Sequence, residues 1–332
     1  MTAPLEVEGA ATSAQPEAVL VGVGKQIEGR SLGQIAWLRL KRDKIAIAGG
    51  CVVVFLIFIA LFAPLIVRVL GHPPDEPHPE LVDPNLGGLP KGDFGGISKD
   101  FLFGVEPGLG RDVFSRILYG AQISLLVAFS ATLVAVFIGV TCGVVAGYFG
   151  GFLDTVISRT MDILLAFPLL LFAIALVAAM PGTAFGLTGS GLRIGVLVFV
   201  IGFFSWPYIG RIVRGQTFSL REREFVDAAR SLGARSPYIL FRELLPNLMA
   251  PILVYSTLII PTNILFEAAL SFLGVGVQPP TPSWGGMLSD AVATYQVDPT
   301  YMIVPGLALF ITVLSFNLFG DGLRDALDPR AH

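Results

Sequence analysis

The residues of this chain that could perform covalent chemistry do not stand in a catalytic pattern. The sequence contains no H-E-x-x-H or C-x-x-C motif. The stretch "VGVGKQ", which contains Lys25, comes nearest to a phosphate-binding loop, but it lacks the first glycine at the required distance and the Ser or Thr after the lysine. We therefore expect no catalytic residue, no cofactor bound by this chain, and no hydrolysis of ATP by the chain alone.

Residues that could ligate a metal ion are also poorly spaced. His72 and His78 lie in the acidic, proline-rich stretch "GHPPDEPHPE", where no ligand spacing enforces a coordination geometry. A solvated loop is the favoured interpretation, and we predict no metal site. Cys51 and Cys142 both fall inside apolar runs, which is typical of inert buried thiols rather than of an extracellular disulfide.

The composition indicates what kind of protein must hold the remaining polar residues. Hydrophobic residues make up 54% of the 332 residues and charged residues only 14%, whereas a soluble domain carries about 25% charged residues. This points to a polytopic membrane protein, and a net charge of −3 gives no reason to expect nucleic-acid binding. Segments long enough to span as helices are residues 45–67, 123–148, 163–180, 194–213, 248–273 and 302–319.

The distribution of Lys and Arg predicts the orientation of these six segments. Residues 211–247 contain seven arginines, whereas residues 277–300 contain neither Lys nor Arg. Because connections rich in Lys and Arg stay on the cytoplasmic side, residues 214–247 are expected to be cytoplasmic. With six spans, both termini are then also expected in the cytoplasm, and residues 68–112 outside.

Glu267 is the clear ionisable residue inside a predicted span. It could be a polar wall or gate of a translocation path, since intramembrane carboxyls are costly and often functional. The favoured interpretation is a structural carboxyl paired or hydrogen-bonded between helices, for instance with Arg193. Asp154 and Asp162 are the nearest thing to an intramembrane catalytic pair, but a salt-bridged role beside Arg159 is the favoured interpretation.

Small residues predict close helix packing in the second span. Gly139, Gly143 and Gly147 recur every four residues, and this spacing lets helix backbones approach closely in a membrane. We expect packing within the chain rather than a subunit interface. The stretch "WPYIG" at 206–210 and Pro261 mark breaks in later spans, which are possible hinges.

The most polar interruption of the apolar half is "EFVDAARSLGARSPYILFRELLPN", residues 224–247. Apolar residues at helical spacing predict a first short helix, ended by Gly233; they are Phe225, Ala228, Ala229 and Leu232. A second helix is expected to begin near Pro237, and Pro246 to mark the turn back into the membrane. The segment could be an interfacial loop on the lipid surface or a docking element for a soluble partner.

The same segment resembles the EAA motif of ABC-importer permeases, E-A-A-x3-G-x9-I-x-L-P. The matching residues here are Asp227, Ala228, Ala229, Gly233, Leu245 and Pro246, with Asp227 in place of Glu and Glu243 in place of Ile. Further strings resemble the C-type permeases of dipeptide, oligopeptide and nickel importers, so that the resemblance runs from about Leu38 to Arg330. These strings are "LGRDVFSRILYGAQISLLVA", "AGYFGGFLDTVISRTMDILLAFP", "EAALSFLGVGVQPPTPSWGGML" and "FNLFGDGLRDALDPR".

This resemblance implies an all-α, six-helix, type I importer permease in the bacterial inner membrane. Its implied partners are a second permease subunit, expected to be a paralogue, two ATPase subunits that bind ATP and Mg²⁺, and an extracytoplasmic substrate-binding protein. The implied cargo is a dipeptide or oligopeptide. Nickel or another small solute stays an alternative, and so does an ion-coupled carrier, which would need inverted repeats.

The resemblance also implies roles for particular residues. The EAA-like residues would dock to the ATPase, where Arg221, Arg223 and Arg235 could add charge contacts. Glu267 and Trp284 could line the path or an outer gate. The expected organisation is a disordered tail (1–36), an amphipathic lead-in and first span (37–67), an extracytoplasmic loop (68–112), a five-helix core (113–320) with the coupling loop 214–247, and a cytoplasmic tail (321–332).

Overall fold

The computed structural model describes residues 32–179, 183–184 and 187–327. The predicted disorder of residues 1–31 and the last residues of the predicted C-terminal tail lie outside these ranges. Helices dominate what is described, in agreement with the predicted all-α class. Their bounds are α1 Leu32–Leu40, α2 Lys44–Leu70, α3 Val113–Phe149, α4 Gly151–Ala166, α5 Leu169–Ala179, α6 Gly189–Arg221, α7 Glu224–Ser231, α8 Ser236–Tyr238, α9 Leu245–Phe272, α10 Trp284–Ala291 and α11 Thr300–Leu327.

Short extended pieces complete the described chain. Strands β1 (Val82–Asp83) and β2 (Leu89–Pro90) pair antiparallel within the loop between α2 and α3. Strands β3 (Thr183–Ala184) and β4 (Leu187–Thr188) pair antiparallel between α5 and α6. Helix α1 begins at Leu32, inside the segment expected to be a tail, and α11 continues to Leu327, beyond the predicted end of the core at 320.

Within the described residues, five helical stretches are long and apolar enough to cross a membrane, and a sixth crossing exists if the bent pair α4 and α5 counts as one. The prediction of one continuous span over residues 163–180 is wrong, because α4 and α5 meet at an angle of 81°. The break falls at Phe167, which has extended backbone angles and precedes Pro168. A residue before proline is pushed out of the helical region, so the helix stops there despite its apolar sequence.

Helices α3 and α6 pack against each other through their glycines. A Cβ added at Gly139 would lie 2.8 Å from the carbonyl oxygen of Trp206, and one at Gly143 would lie 2.7 Å from that of Gly210. From the opposite helix, a Cβ at Gly202 of α6 would lie 2.8 Å from the carbonyl oxygen of Ala131 in α3. The predicted packing within the chain is therefore confirmed, and hydrogen in place of a side chain is what permits this approach.

The loop 71–112 between α2 and α3 is folded around buried charges rather than merely solvated. Glu106 contacts Arg111 through a side-chain hydrogen bond, and its other carboxylate oxygen lies 2.9 Å from Nε of Arg116. The hydroxyl of Tyr301 in α11 donates to the same carboxylate at 3.4 Å. All four side chains are buried, so this cluster fixes the loop to the ends of α3 and α11.

Candidate functional site

Helix α7 is anchored to the rest of the chain by one narrow face. Val226 is fully buried and Ala229 nearly so, and both pack with Ile239 and Leu244 of the following segment. Tyr148, at the end of α3, borders the same cluster. Movement of α7 would therefore be transmitted directly to the ends of the membrane-spanning helices that hold it.

The apolar face predicted for this helix is divided between core and solvent. Ala229 faces inward, whereas Phe225, Ala228 and Leu232 are exposed, and Leu232 retains 89% of its accessible surface. These exposed residues line an open groove of about 610 Å³ between α7 and the start of the next helix. The lining is Phe225, Ala228, Ala229, Leu232, Gly233, Ala234, Arg235, Tyr238 and Glu243.

Gly233 makes the turn that shapes one end of this groove. Its φ of +82° is strained for any residue with a Cβ. The N–H of Ala234 donates to the carbonyl of Ala229 at 3.0 Å, a bond that closes the end of the helix as in a Schellman turn. The predicted end of the first helix at Gly233 is thus confirmed.

The predicted turn at Pro246 is wrong. The chain stays helical from Ser236 to Phe272, with a π-helical stretch at Ile239–Leu244 in which the N–H of Leu245 donates to the carbonyl of Leu240. Proline removes one backbone hydrogen bond from a helix. The wider π turn directly before Pro246 accommodates this loss, so Leu245 and Pro246 continue a helix into the membrane instead of redirecting the chain.

The three arginines singled out in this region have different environments. Arg221 donates to the carbonyl of Gly147 at 3.1 Å and pairs with Glu222, so it binds the C-terminal end of α3. Arg223 and Arg235 are exposed, and neither forms an ion pair within the ranges that the structure describes. Asp227 is exposed as well and lies 3.4 Å from Arg230.

Ion pairs connect α4 to the end of α6 that leads into this site. Arg214 pairs with Asp154, with Nη2 at 2.8 Å from Oδ2, and Arg211 lies 2.7 Å from Asp162. Both aspartates thus have the salt-bridged role that the sequence favoured. Arg159 also approaches Asp162, at 3.8 Å.

Glu267 and Trp284, the predicted path or gate residues, are buried within the packing of this chain. Glu267 has no exposed surface and accepts a hydrogen bond from Ser271 at 2.7 Å. The suggested pairing with Arg193 is wrong, because no ion pair joins these two described side chains. The indole of Trp284 donates to the carbonyl of Ile117 at 3.2 Å. A role for either residue in the path stays a prediction.

A polar contact between three spans was not predicted. Asn263 of α9 donates to Thr132 of α3 at 2.9 Å and accepts from Ser205 of α6 at 3.0 Å. All three side chains are buried. A polar residue within an apolar run was the available signal, but the sequence alone does not show which helices would meet there.

His72 and His78 lie close together, with ring centroids 5.3 Å apart, and both rings pack on Phe101. Across the part of the chain that the structure describes, no group of three or more His, Cys, Asp or Glu side chains is placed to hold a metal ion.

Comparison with known proteins extends the resemblance seen in the sequence. Residues 139–332 match the family described as binding-protein-dependent transport system inner membrane component. Residues 31–86 match the N-terminal TM domain of oligopeptide transport permease C. The chain is 42% identical to the dipeptide transport system permease protein DppC of Alkalihalophilus pseudofirmus, over 89% of each chain. It is also 42% identical to the glutathione transport system permease protein GsiD of Pectobacterium atrosepticum, over 89% of this chain and 90% of that one.

Solved structures support the fold. The methionine ABC transporter MetNI in its inward-facing conformation matches with a TM-score of 0.50 and 21% identity, over 65% of this chain and 97% of that chain. At this identity the match concerns the fold alone, and it agrees with the predicted type I permease architecture.

Family membership also determines which subunits of the transporter are catalytic. A permease subunit is not catalytic, so ATP is hydrolysed by separate subunits, and the transporter also requires a substrate-binding protein. The chain belongs to the binding-protein-dependent transport family, as a multi-pass inner-membrane permease subunit of the peptide group of ABC importers.

Proposed function

We propose that this chain forms half of the translocation pathway of an importer for dipeptides or short oligopeptides. The named cargoes of its similar relatives support this, since they are dipeptides and glutathione, which is itself a tripeptide. Peptides of this size are zwitterions, so a pathway with few fixed charges suits them. The ion-coupled carrier is not part of the proposal, because family membership makes ATP hydrolysis, rather than an ion gradient, the source of energy.

We further propose that the groove beside α7 receives an apolar side chain of the ATPase subunit. The proposal rests on the exposure of Phe225, Ala228 and Leu232 around an open groove. This groove lies within the EAA-like segment. Exposed apolar surface of this kind is characteristic of interaction sites. Arg235 lines the groove and would supply a charged contact, together with the exposed Asp227 and Arg223. Arg221, already bound to the end of α3, would hold the groove in place.

The proposed partners are those that the resemblance to importer permeases implies. The proposed assembly contains this chain, a second permease subunit that is a paralogue, two ATPase subunits that carry ATP and Mg²⁺, and one substrate-binding protein. Closure of the ATPase pair would push α7, and the cluster around Val226 and Ala229 would pass this movement to α3 and α9.

The test places the same charge at two adjacent exposed positions. Leu232→Glu puts a carboxylate into the groove, whereas Ser231→Glu puts one on the surface beside it, since Ser231 is exposed but does not line the groove. The complex would be purified through this chain and reconstituted with its binding protein. We expect Leu232→Glu to lose the ATPase subunits or peptide-stimulated ATP hydrolysis, and Ser231→Glu to keep both. Equal behaviour of the two variants would contradict the proposed contact.

The cargo is tested separately in the same proteoliposomes. Uptake of a labelled dipeptide would be measured in competition with longer peptides, glutathione and Ni²⁺. Dipeptide uptake for which other peptides compete would support the proposed cargo, and the absence of dipeptide uptake would contradict it.

A further inference from the structure

Helix α1 presents a basic and aromatic surface where the first span begins. Its inward face consists of Ala36 and Leu40, which pack on Ala46 and on Ala326 near the end of α11. The opposite face carries Trp37, which is 58% exposed, and Leu38, which is 43% exposed. A short helix with one face on protein and an apolar face outward has the form of an interfacial helix.

Three cations surround this face without partners of opposite charge. Lys41, Arg42 and Lys44 are exposed, and none of them forms an ion pair in the ranges covered by the structure. The acidic residue in their midst, Asp43, accepts hydrogen bonds from the N–H groups of Ile45 and Ala46 and so caps α2. Both bonds go to Oδ1 of Asp43, and no ion pair joins this carboxylate to the three cations in the described part of the chain.

Other acidic side chains do not neutralise the patch either. Asp321 and Asp325 belong to the end of α11 that packs on α1, but both are exposed and no ion pair joins them to the three cations. The ammonium group of Lys41 instead lies 5.3 Å from the centre of the Trp37 ring, a cation–π contact. Tryptophan and lysine together at the end of a span are typical of the membrane–water interface.

The patch also continues into an exposed apolar surface of the first span. Ile45, at the start of α2, is 64% exposed, and farther along the same span Phe55 and Leu61 are exposed as well. The cations therefore stand at the depth where headgroups meet the acyl chains. Clusters of Lys and Arg directly beside a span attract anionic headgroups.

We propose that Trp37, Lys41, Arg42 and Lys44 form a binding surface for anionic phospholipid, which holds α1 flat on the bilayer. The surface goes beyond the proposed transport function and does not depend on the cargo or on the ATPase contact. It would tie the N-terminal end of α2 and the C-terminal end of α11 to the membrane surface, so that the two helices keep their depth while the rest of the permease moves.

The three tryptophans of the chain make the test specific. Trp206 and Trp284 are buried, at 3% and 1% exposure, whereas Trp37 is exposed. The complete transporter would be reconstituted in vesicles of phosphatidylcholine containing brominated phosphatidylglycerol or, at the same mole fraction, brominated phosphatidylcholine. The difference in fluorescence quenching between wild type and Trp37→Phe isolates the Trp37 signal, even if the partner subunits contain tryptophan.

We expect brominated phosphatidylglycerol to quench Trp37 more strongly than brominated phosphatidylcholine does. The triple variant Lys41→Gln, Arg42→Gln, Lys44→Gln should lose this preference, since each cation near an anionic surface changes binding by about fivefold. The matched control, Arg68→Gln with Lys99→Gln, removes exposed cations from the loop side and should keep the preference. In wild type, raising the salt from about 0.01 M to about 1 M should also abolish it, because the Debye length falls from about 30 Å to about 3 Å.

Two results would overturn the proposal. Equal quenching by both brominated lipids, at low and high salt, would mean that the surface contacts the bilayer without selecting anionic lipid. Quenching by neither lipid would mean that Trp37 lies in water or against a protein. The salt titration needs no substitution, so the proposal stays testable if the triple variant is not recovered.

Discussion

At the scale of single residues, two buried polar side chains differ in where their partners lie. Glu267 is bonded to Ser271 one turn farther along α9, and Trp284 of α10 donates across to α3. The indole N–H of Trp284 and one carboxylate oxygen of Glu267 therefore have partners, whereas Oε2 of Glu267 is buried without a hydrogen-bond partner among the described residues. Leaving such a group unpartnered costs about 1–3 kcal/mol. One bonded oxygen and one unpartnered oxygen leave the structural and the gate interpretations of Glu267 both as predictions.

Substitutions at Glu267 separate these interpretations. Glu267→Gln keeps the volume and an acceptor for Ser271, so we expect peptide uptake and thermal stability close to those of wild type. Glu267→Ala leaves a cavity and should lower the free energy of unfolding by about 2–4 kcal/mol. The measurements are uptake and the Tm of the purified complex. Loss of uptake in Glu267→Gln at an unchanged Tm would support the gate instead.

The contact of Asn263 with Thr132 offers a matched pair of threonines. Thr132 accepts from Asn263 of another helix, whereas Thr312 donates only to Ala308 of its own helix, at 2.7 Å. Both threonines are buried. We expect Thr132→Val to destabilise the protein by about 1 kcal/mol and Thr312→Val by less, as measured by thermal unfolding in detergent. Equal losses would mean that the contact between helices adds no stability.

At the scale of the elements, much of the architecture could be predicted, because apolar length and glycine spacing are local signals. The span of α2 and the glycine face of α3 were predicted in this way. The bend between α4 and α5 does not follow from apolar length, because Phe167 lies in an apolar run and only Pro168 marks the break. The continuous helix through Pro246 was also missed, because the π turn depends on how Ile239 and Leu244 pack beneath α7.

Prediction of the candidate site from the sequence is limited in the same way. The turn at Gly233 and the polar character of the loop follow from residue types, and both were predicted. Which apolar residues face the core does not follow from them. Helical spacing groups Ala229 with Leu232, but the core beneath α7 includes Ala229 and leaves Leu232 in solvent. The groove therefore became visible only when the neighbours of α7 were known.

Glycines of α3 and α6 provide a test of helix packing. A Cβ at Gly143 would lie 2.7 Å from a carbonyl oxygen of α6, whereas one at Gly215 would meet nothing within 4 Å. We expect Gly143→Ala to lower the Tm, because two backbones must move apart. Gly215→Ala should leave the Tm unchanged or raise it, since alanine favours a helix by about 1 kcal/mol over glycine. A loss of stability in Gly215→Ala equal to that in Gly143→Ala would contradict the proposed packing of α3 on α6.

At the scale of the whole molecule, the loop 71–112 and the EAA-like segment are expected on opposite sides of the membrane. The first is folded around Glu106 and is expected outside. The second opens its groove beside α7 and is expected in the cytoplasm. Coupling requires this arrangement, because a cytoplasmic ATPase can reach only the second surface. The orientation rests on charge: residues 211–247 hold seven arginines and residues 277–300 hold no Lys or Arg.

Cysteine labelling would test this orientation directly. In a background that lacks Cys51 and Cys142, single cysteines would replace Leu86, which is 64% exposed in the outer loop, or Ser231, which is exposed beside the groove. A membrane-impermeant maleimide should label Leu86→Cys in intact spheroplasts and Ser231→Cys only after permeabilisation. The reverse pattern would place the groove outside, where it could not meet an ATPase, and would remove the physical basis of the proposed coupling.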